Sequence, residues 1–409
     1  MRLPWNGLPY LKKSGSISAK FIFLSLITPT LAQSFSPSSS WRKPFITNSP
    51  ADQVDKAGAA LASALRVLNP ETAQYSMFTF QFVARFENID FGLITGVLLS
   101  DNSNFLEPGT LFYEMARFDY LTGQTKYQEQ LEAYFSKVIN KNPHFSHPRF
   151  ILVSLPHALI YGYAAIQAFR AYKDNIFLTY AESSWAFGWN YTISQEQADS
   201  RHTPVKNLTF ADSNLCARAS LAGGTFRDTD TRSGLVTAAA TGLSAALAEA
   251  TNNQAYLGAA KLSFQFISKQ LISPDRLVET AMDATNCDPV VVFAYPYNSG
   301  FFLEGLSMLN GSTPPDEAQL LPDMVLAATT TTKSVWNTEQ GIIQSTADPG
   351  AGFAIGSGGD SQLVRGLTSV FERTNKSDLR SYVKSYLAVQ LLPQTIYNVF
   401  TIESCTLSH

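Results

Sequence analysis

The feature that most constrains the fold is a repeated pair of helical segments joined by a short polar turn. In each unit an apolar segment rich in small residues comes first. The second segment carries large apolar residues eight positions apart, as in Tyr127 and Phe135. Eight residues span slightly more than two helical turns, so both members of a pair lie on one face of a helix. Clear copies of this predicted helical hairpin occupy 111–135, 161–189, 234–267 and 361–392.

Two weaker copies bring the predicted hairpins to six. One comprises 298–310 with 316–330, and the other comprises 55–68 with part of 70–88. The first helices are apolar on all sides, whereas the second helices are apolar on one side. This difference is expected when an outer ring of helices surrounds an inner ring. The pattern therefore predicts an all-α fold, an (α/α)6 toroid of six helical hairpins.

An open α-solenoid of stacked helix pairs is the alternative, because it also has an inner and an outer layer. Solenoid repeats keep a nearly constant length of about 34 to 47 residues. Here the first helices of units two to six begin near 110, 157, 234, 298 and 361, and long polar insertions such as 190–232 separate them. The irregular spacing favours the toroid.

The N-terminus has the pattern of a secretory signal peptide. Basic residues precede the apolar run 21–27, and Thr30-Leu31-Ala32 offers small residues for cleavage. This run is too short to span a bilayer comfortably, although an uncleaved membrane anchor is the alternative. We therefore expect a secreted, extracellular protein without an integral membrane segment after cleavage. The predicted divisions are a signal peptide (1–32), an extended or disordered Ser/Pro-rich lead-in (33–54), one toroid domain (55–395) and a C-terminal tail (396–409).

Secretion gives meaning to the three cysteines and to the glycosylation sequons. Cys216 and Cys287 both lie in polar, turn-rich segments, so we predict a disulfide between them and a free thiol at Cys405. Asn-x-Ser/Thr triplets, most of which we expect to carry glycans, begin at Asn190, Asn207, Asn310 and Asn375.

Charge and composition exclude several partners. The net charge of −3 gives no electrostatic reason to expect nucleic acid or acidic lipid. The chain has five histidines but no Cys-x-x-Cys or His-x-x-x-His spacing, so we predict neither a metal site nor a cofactor. We expect a monomer that binds a polysaccharide or oligosaccharide.

The predicted site lies where the inner helices begin. In a toroid of hairpins these helices run parallel, so their N-terminal ends meet at one face. Helix N-termini present unpaired N–H groups and the positive end of the helix dipole, which suits oxygen-rich ligands. The residues near these ends are acidic and aromatic, a composition that suits sugar binding. The residues predicted to bind substrate are Tyr161, Tyr295, Tyr297, Asn298, His157 and Asp360.

Each of these residues also has a purely structural interpretation. The acidic residues would serve equally well as helix caps or solvated loop charges. Tyr161 would pack in the core, His157 would be structural, and Asn298 would cap the helix that Pro296 opens. The site prediction therefore depends on the set and not on any one member.

Three stretches resemble glycoside hydrolase family 76, whose characterised members are endo-α-1,6-mannanases. The stretch 297–309, YNSGFFLEGLSML, resembles the family's Tyr-Asn-x-Gly helix entry. Residues 221–272 resemble its region from a Gly-Gly loop through a helical hairpin, and 161–187 look like an earlier hairpin. The chain as a whole is similar in style to secreted basidiomycete proteins placed in this family. The resemblance spans roughly 110–390 and implies an (α/α)6 toroid acting on α-mannan.

One feature that the resemblance implies is missing. The family uses two consecutive aspartates, one as nucleophile and the other as general acid/base, and retaining hydrolysis needs two carboxyl groups about 5 Å apart. Here the pair falls near Pro156, His157 and Ala158, where the sequence has no carboxylate. The carboxylates that would replace it from the same face are Asp101, Glu107, Asp228 and Asp230.

Three functional hypotheses follow. The first is a glycoside hydrolase acting on α-mannan or a related cell-wall polysaccharide with relocated carboxylates. The second is a non-catalytic descendant that binds glycan, which the missing aspartates favour. The third is a structural or protein-binding toroid, which a groove lined by aliphatic side chains would favour.

Overall fold

The computed structural model describes residues 35–42, 49–75, 106–146, 148–149, 152–212, 216, 220–239, 241–290, 296–309, 319–334, 336–343 and 358–390. The described residues belong to one compact unit that begins at Phe35. The predictions for Asp101, Tyr295, Asn310 and Cys405 and for the segments 1–32 and 396–409 concern residues outside the described part of the chain.

Twelve helices are present among the described residues, and all other elements are short. The helices are α1 (Pro50–Val67), α2 (Leu106–Thr122), α3 (Gln128–Lys141), α4 (Leu155–Tyr172), α5 (Asn175–Asn190), α6 (Gln195–Ser200), α7 (Thr241–Thr251), α8 (Gln254–Phe266), α9 (Pro296–Met308), α10 (Leu320–Thr329), α11 (Gly358–Arg373) and α12 (Ser377–Gln390). The predicted all-α class is confirmed.

Both helices of five of the six predicted hairpins are described: α2–α3, α4–α5, α7–α8, α9–α10 and α11–α12. The connection between α9 and α10 lies outside the described residues. Their first helices contact one another in chain order, α2 with α4, α4 with α7, α7 with α9, and α9 with α11. These helices form the inner ring. The remaining hairpin falls partly on 76–88, which lies outside the described residues.

The arc of inner helices closes on itself. Arg117 on α2 forms an ion pair with Glu372 on α11, and the guanidinium carbon of Arg365 on α11 lies 4.1 Å from the ring centroid of Tyr113 on α2. The first and last fully described hairpins are therefore neighbours. An open solenoid would hold them apart, so the closed ring is the correct alternative.

Inner helices are apolar all round because they are contacted on all sides. On α4, twelve of eighteen residues are buried. On α9 and α11 the glycines allow direct backbone contact, since a Cβ on Gly300 would lie 2.2 Å from the carbonyl oxygen of Gln362. Small residues on the inner helices are thus required by helix packing.

Outer helices are amphipathic, as their sequence predicts. On α3 the buried residues are Leu131, Tyr134, Phe135 and Val138, and the opposite face is polar. Asp119 at the end of α2 accepts hydrogen bonds from the backbone N–H of Tyr127 at 2.7 Å and from the hydroxyl of Tyr172 at 2.8 Å. This carboxylate joins the turn of one hairpin to the next hairpin.

Nine short strands connect the helices within the described residues. They are β1 (Leu68–Asn69), β2 (Gln74–Tyr75), β3 (Pro148–Arg149), β4 (Leu152–Val153), β5 (His202–Thr203), β6 (Leu208–Thr209), β7 (Thr225–Phe226), β8 (Leu235–Thr237) and β9 (Met282–Asp283). Strands β7, β8 and β9 form one antiparallel sheet in which Phe226 pairs with Val236, and Val236 with Met282. Strands β7 and β8 precede α7, whereas β9 follows α8, and the sheet lies near the starts of α4 and α9.

Part of the Ser/Pro-rich lead-in packs on the domain. Residues 35–42 are ordered against the outer helix α12, because Trp41 packs on Tyr382 and Tyr386 with ring centroids 5.3 and 5.2 Å apart. Buried aromatic contacts of this kind offset the entropy of ordering the segment. Helix α1 begins at Pro50, where Ser49 caps it, rather than at residue 55.

The predicted disulfide is present between Cys216 and Cys287, whose Cα atoms are 5.1 Å apart. It joins the long insertion before β7 to the turn after β9. Among the described residues, no helix combines the length and the apolar character needed to cross a membrane.

Candidate functional site

The loop that follows β7 lies directly on the start of α4. The backbone N–H of Leu155 donates to the carbonyl of Arg227 at 3.0 Å, and Ser154 forms an isolated antiparallel bridge with Asp228. These contacts place Asp228 opposite Ser154, which precedes Pro156 and His157 by two and three residues. This is the segment where the family's aspartates would fall.

Asp228 is almost buried and is surrounded by hydrogen-bond donors. Its Oδ1 accepts from the backbone N–H of Asp230 at 3.1 Å and lies 3.5 Å from the ammonium of Lys206. Its Oδ2 lies 3.4 Å from Nε of Arg227 and 3.5 Å from Oγ of Ser233. These neighbours stabilise negative charge, as a nucleophilic or charge-stabilising carboxylate requires.

Asp230 has a different environment. Its carboxylate accepts from the backbone N–H, Nε and Nη2 of Arg232, at 3.0, 3.2 and 3.2 Å. These hydrogen bonds hold the pKa of Asp230 below its usual value. A carboxyl group with a lowered pKa is a poor proton donor, so Asp230 does not suit the role of general acid.

The start of α9 forms a second polar region. The side-chain amide of Asn298 donates to Oγ1 of Thr280 at 3.2 Å, and the buried hydroxyl of Ser299 accepts from the backbone N–H of Val278 at 3.3 Å. Because α9 begins at Pro296, Asn298 lies within its first turn and does not cap it. Tyr297 is half-buried there.

Glu279 lies between Val278 and Thr280 in this region, and burial raises its pKa. A carboxyl group with a raised pKa has the property that a general acid needs. It does not pair with Asp228, however. Strands β7 and β9 both run antiparallel to β8, so Asp228, which follows β7, and Glu279, which precedes β9, lie towards opposite ends of the sheet.

The remaining predicted site residues are placed as follows. His157 is half-buried in the first turn of α4. Glu107 and Asp360 lie in the first turns of α2 and α11, and their side chains are outside the description. Tyr161 has the surroundings of a core residue, and substrate binding by it stays a prediction. Its ring is fully buried and stacks on Phe145, and its hydroxyl accepts a 3.0 Å hydrogen bond from Gln74.

Sequence reasoning missed a buried charge cluster in the centre of the inner ring. Glu304 on α9 and Arg365 on α11 are 3% and 2% exposed, and Nε of Arg365 donates to Oε2 of Glu304 at 2.9 Å. The guanidinium also lies over the rings of Tyr113, Tyr163 and Phe301. The available signal was Glu304 itself, an acid within a helix that is otherwise apolar. Charged residues are rarely fully buried unless they are paired.

The glycosylation sequons are accessible to different degrees. Asn190, Asn207 and Asn375 are exposed. The hydroxyl of Thr192, in the first of these sequons, is buried, donates to the carbonyl of Gly188 at 3.1 Å and lies 2.8 Å from Oγ1 of Thr225. Glycan attachment at these positions stays a prediction. Across the described part of the chain, no group of three or more His, Cys, Asp or Glu side chains is arranged to hold a metal ion.

Residues 225–371 match the family model described as glycosyl hydrolase family 76. The matched region runs from β7 into the last turn of α11 and includes Asp228, Asn298, Glu304 and Arg365. The match confirms the family resemblance seen in the sequence. No curated protein matches the chain.

Solved structures of family 76 proteins share the fold. One is an inactive variant of the α-1,6-mannanase GH76A of Salegentibacter sp. HEL1_6 in complex with α-1,6-mannotriose, with 13% identity, a TM-score of 0.59, and coverage of 87% of this chain and 98% of that one. Another is the family 76 mannosidase Bt3792 of Bacteroides thetaiotaomicron, with 11% identity, a TM-score of 0.57, and coverage of 87% and 98%. These similarities confirm the (α/α)6 toroid.

Proposed function

We propose, for a chain that carries the glycosyl hydrolase family 76 fold, that it is a secreted glycoside hydrolase acting on an α-mannan or a related cell-wall polysaccharide. The observation that carries the proposal is the bridge between Ser154 and Asp228. It brings a carboxylate to the start of α4, against the segment where the family's aspartates would lie. Asp228 thus supplies a carboxylate at the start of α4, although the sequence of α4 has none there.

The substrate class is inferred from the relatives. The Salegentibacter enzyme is described with α-1,6-mannotriose bound, and Bt3792 is described as a mannosidase. The mouth of this inner ring offers Tyr297, Asn298 and His157, which are side chains that bind sugar rings and hydroxyls. Secretion is supported by the disulfide and the exposed sequons.

In this mechanism Asp228 is the carboxylate that faces the anomeric carbon. Hydrogen bonds from the Asp230 N–H and the nearby Lys206 and Arg227 suit that role. A second carboxyl group must protonate the leaving oxygen, and the two groups must lie about 5 to 9.5 Å apart. Among the carboxylates predicted from the sequence, Glu107 in the first turn of the neighbouring inner helix α2 stays a candidate for this role.

A glycan-binding protein without catalysis is the second candidate. The lowered pKa of Asp230 favours it, because the carboxylate nearest to Asp228 along the loop does not supply a proton. This protein would hold a mannan chain at the same mouth without cleaving it.

Incubation of the purified protein with α-1,6-mannan and other cell-wall glycans separates the two candidates. The expected result is release of oligosaccharides, which chromatography and mass spectrometry would detect. Binding of mannotriose in calorimetry without any release would establish the binding protein instead. If the protein neither cleaves nor binds any of these glycans, both candidate functions are wrong.

A further inference from the structure

The most unusual group outside the family match is Lys206, which lies in the turn between β5 and β6. Its side chain is fully buried and its ammonium donates to the backbone carbonyl of Asp228 at 2.9 Å. The same nitrogen lies 3.5 Å from Oδ1 of Asp228 and 4.5 Å from the ring centroid of Phe226. One cation therefore contacts both the backbone and the carboxylate of a single residue.

Burial of the Lys206 ammonium costs free energy unless nearby groups compensate for the lost water. Removing an ammonium from water is strongly unfavourable, and burial lowers the pKa of Lys206 while the charge of Asp228 opposes this effect. An apolar side chain would fill the space over Phe226 without that cost. The buried charge is thus explained by what it does to Asp228.

The other charged groups around Asp228 are held less firmly. Arg227 contacts Oδ2 at 3.4 Å, but about half of its side chain is exposed to solvent. Asp230 contributes its backbone N–H to Oδ1, while its own carboxylate is engaged by Arg232, which is largely exposed. Exposed ion pairs are weak because water screens them and the side chains lose conformational freedom. Lys206 is the cation whose position the fold fixes.

We propose that Lys206 is the positioning residue for Asp228, which it holds in one orientation against the start of α4. Two contacts from one buried nitrogen fix both ends of a short side chain, so the carboxylate is oriented before substrate binds. Preorganised charge of this kind is the main source of electrostatic catalysis. The effect on catalysis rests on the proposed function, whereas the positioning of the Asp228 carboxylate by Lys206 does not.

Lys206→Met tests the proposal, because methionine keeps the unbranched stem over Phe226 and removes the charge. Lys333→Met is the matched control, since Lys333 pairs with Asp275 at 2.8 Å on the surface. On mannan, Lys206→Met should lower kcat about 10- to 100-fold with little change in KM. The control should match the wild type. An unchanged kcat in a Lys206→Met variant with an intact fold would overturn the proposal.

A double-mutant cycle tests the interaction between Lys206 and Asp228 independently of any enzymatic activity. The free energies of unfolding of Lys206→Met, Asp228→Asn and the double variant, measured by denaturation, give the coupling between the two side chains. We expect strong coupling, and no coupling would overturn the proposal. If the coupling is strong but the protein neither binds nor cleaves any glycan, the positioning of Asp228 by Lys206 is supported and only the proposed function is refuted.

Discussion

Glu304 and Arg365 form a buried ion pair that joins inner helices α9 and α11, with Nε of the arginine 2.9 Å from Oε2 of the glutamate. Both residues lie well below the starts of their helices, at a depth where Tyr113 and Tyr163 also face the guanidinium. Four inner helices therefore meet around one cation. The pair gives the closed ring a polar centre beneath the proposed site.

Glu304→Gln should destabilise the fold strongly. The amide keeps the shape of the side chain but leaves Arg365 as an uncompensated buried charge, which costs about 3–5 kcal/mol. Asp275→Asn, in the exposed pair with Lys333, should cost less than about 1 kcal/mol. Chemical denaturation of both variants measures the two losses. Equal losses would contradict the structural role of the buried pair.

Gly366→Ala should also destabilise the fold, because a Cβ at this position would lie 2.2 Å from the carbonyl oxygen of Gly300. Backbone contacts of this kind cannot yield without moving α9 away from α11. Gly258→Ala on the outer helix α8 is the control, since a Cβ there meets nothing within 4 Å. It should stabilise the protein by about 0.5–1 kcal/mol. Thermal unfolding should therefore show shifts of opposite sign, and shifts of one sign would refute the proposed packing.

Loss of the disulfide should lower stability by about 2–4 kcal/mol, because the bond restricts the unfolded chain between Cys216 and Cys287. The double variant Cys216→Ser/Cys287→Ser should reproduce the effect of reductant on the wild type. Reductant should have no further effect on the double variant. Denaturation with and without reductant provides the measurement, and an insensitive wild type would show that the bond does not stabilise the fold.

Glu279 should make stability depend on pH. Burial raises its pKa in the folded state above the unfolded value. The contribution of Glu279 to the free energy of unfolding is therefore fully present below the unfolded pKa. This contribution declines as the pH rises through the folded pKa. Glu279→Gln should remove this decline, so that the variant gains stability relative to the wild type over a pH range that starts at the unfolded pKa of glutamate and extends upward. Denaturation midpoints across this range test the sign, and a constant difference would contradict it.

The fold was largely predictable because its pattern repeats. The eight-residue spacing of large apolar side chains and the small-residue first helices identified each hairpin, and buried residues such as Phe177 and Phe264 confirm the faces. Closure of the ring was inferred only from irregular spacing. The structure adds the contacts of Arg117 with Glu372 and of Tyr113 with Arg365, which connect residues more than 250 positions apart.

The site was less predictable, because its residues meet through loops. Nothing in the sequence near Lys206 indicates that its ammonium reaches Asp228, or that the backbone of Asp228 bridges Ser154. The burial of Tyr161 was not predictable for a related reason. It lies near the start of an inner helix, but its side chain points into the packing between hairpins, where Phe145 covers it. Position along a helix does not determine which neighbour covers a side chain.

The most direct test of the account compares Asp228→Asn with Asp212→Asn in hydrolysis of α-1,6-mannan. Asp212 is the matched control, since it belongs to the same insertion and its pair with Arg201 is about half exposed. The account predicts that Asp228→Asn abolishes oligosaccharide release while mannotriose binding persists, and that Asp212→Asn behaves as the wild type. Undiminished release by Asp228→Asn would show that Asp228 is not the carboxylate on which the chemistry depends.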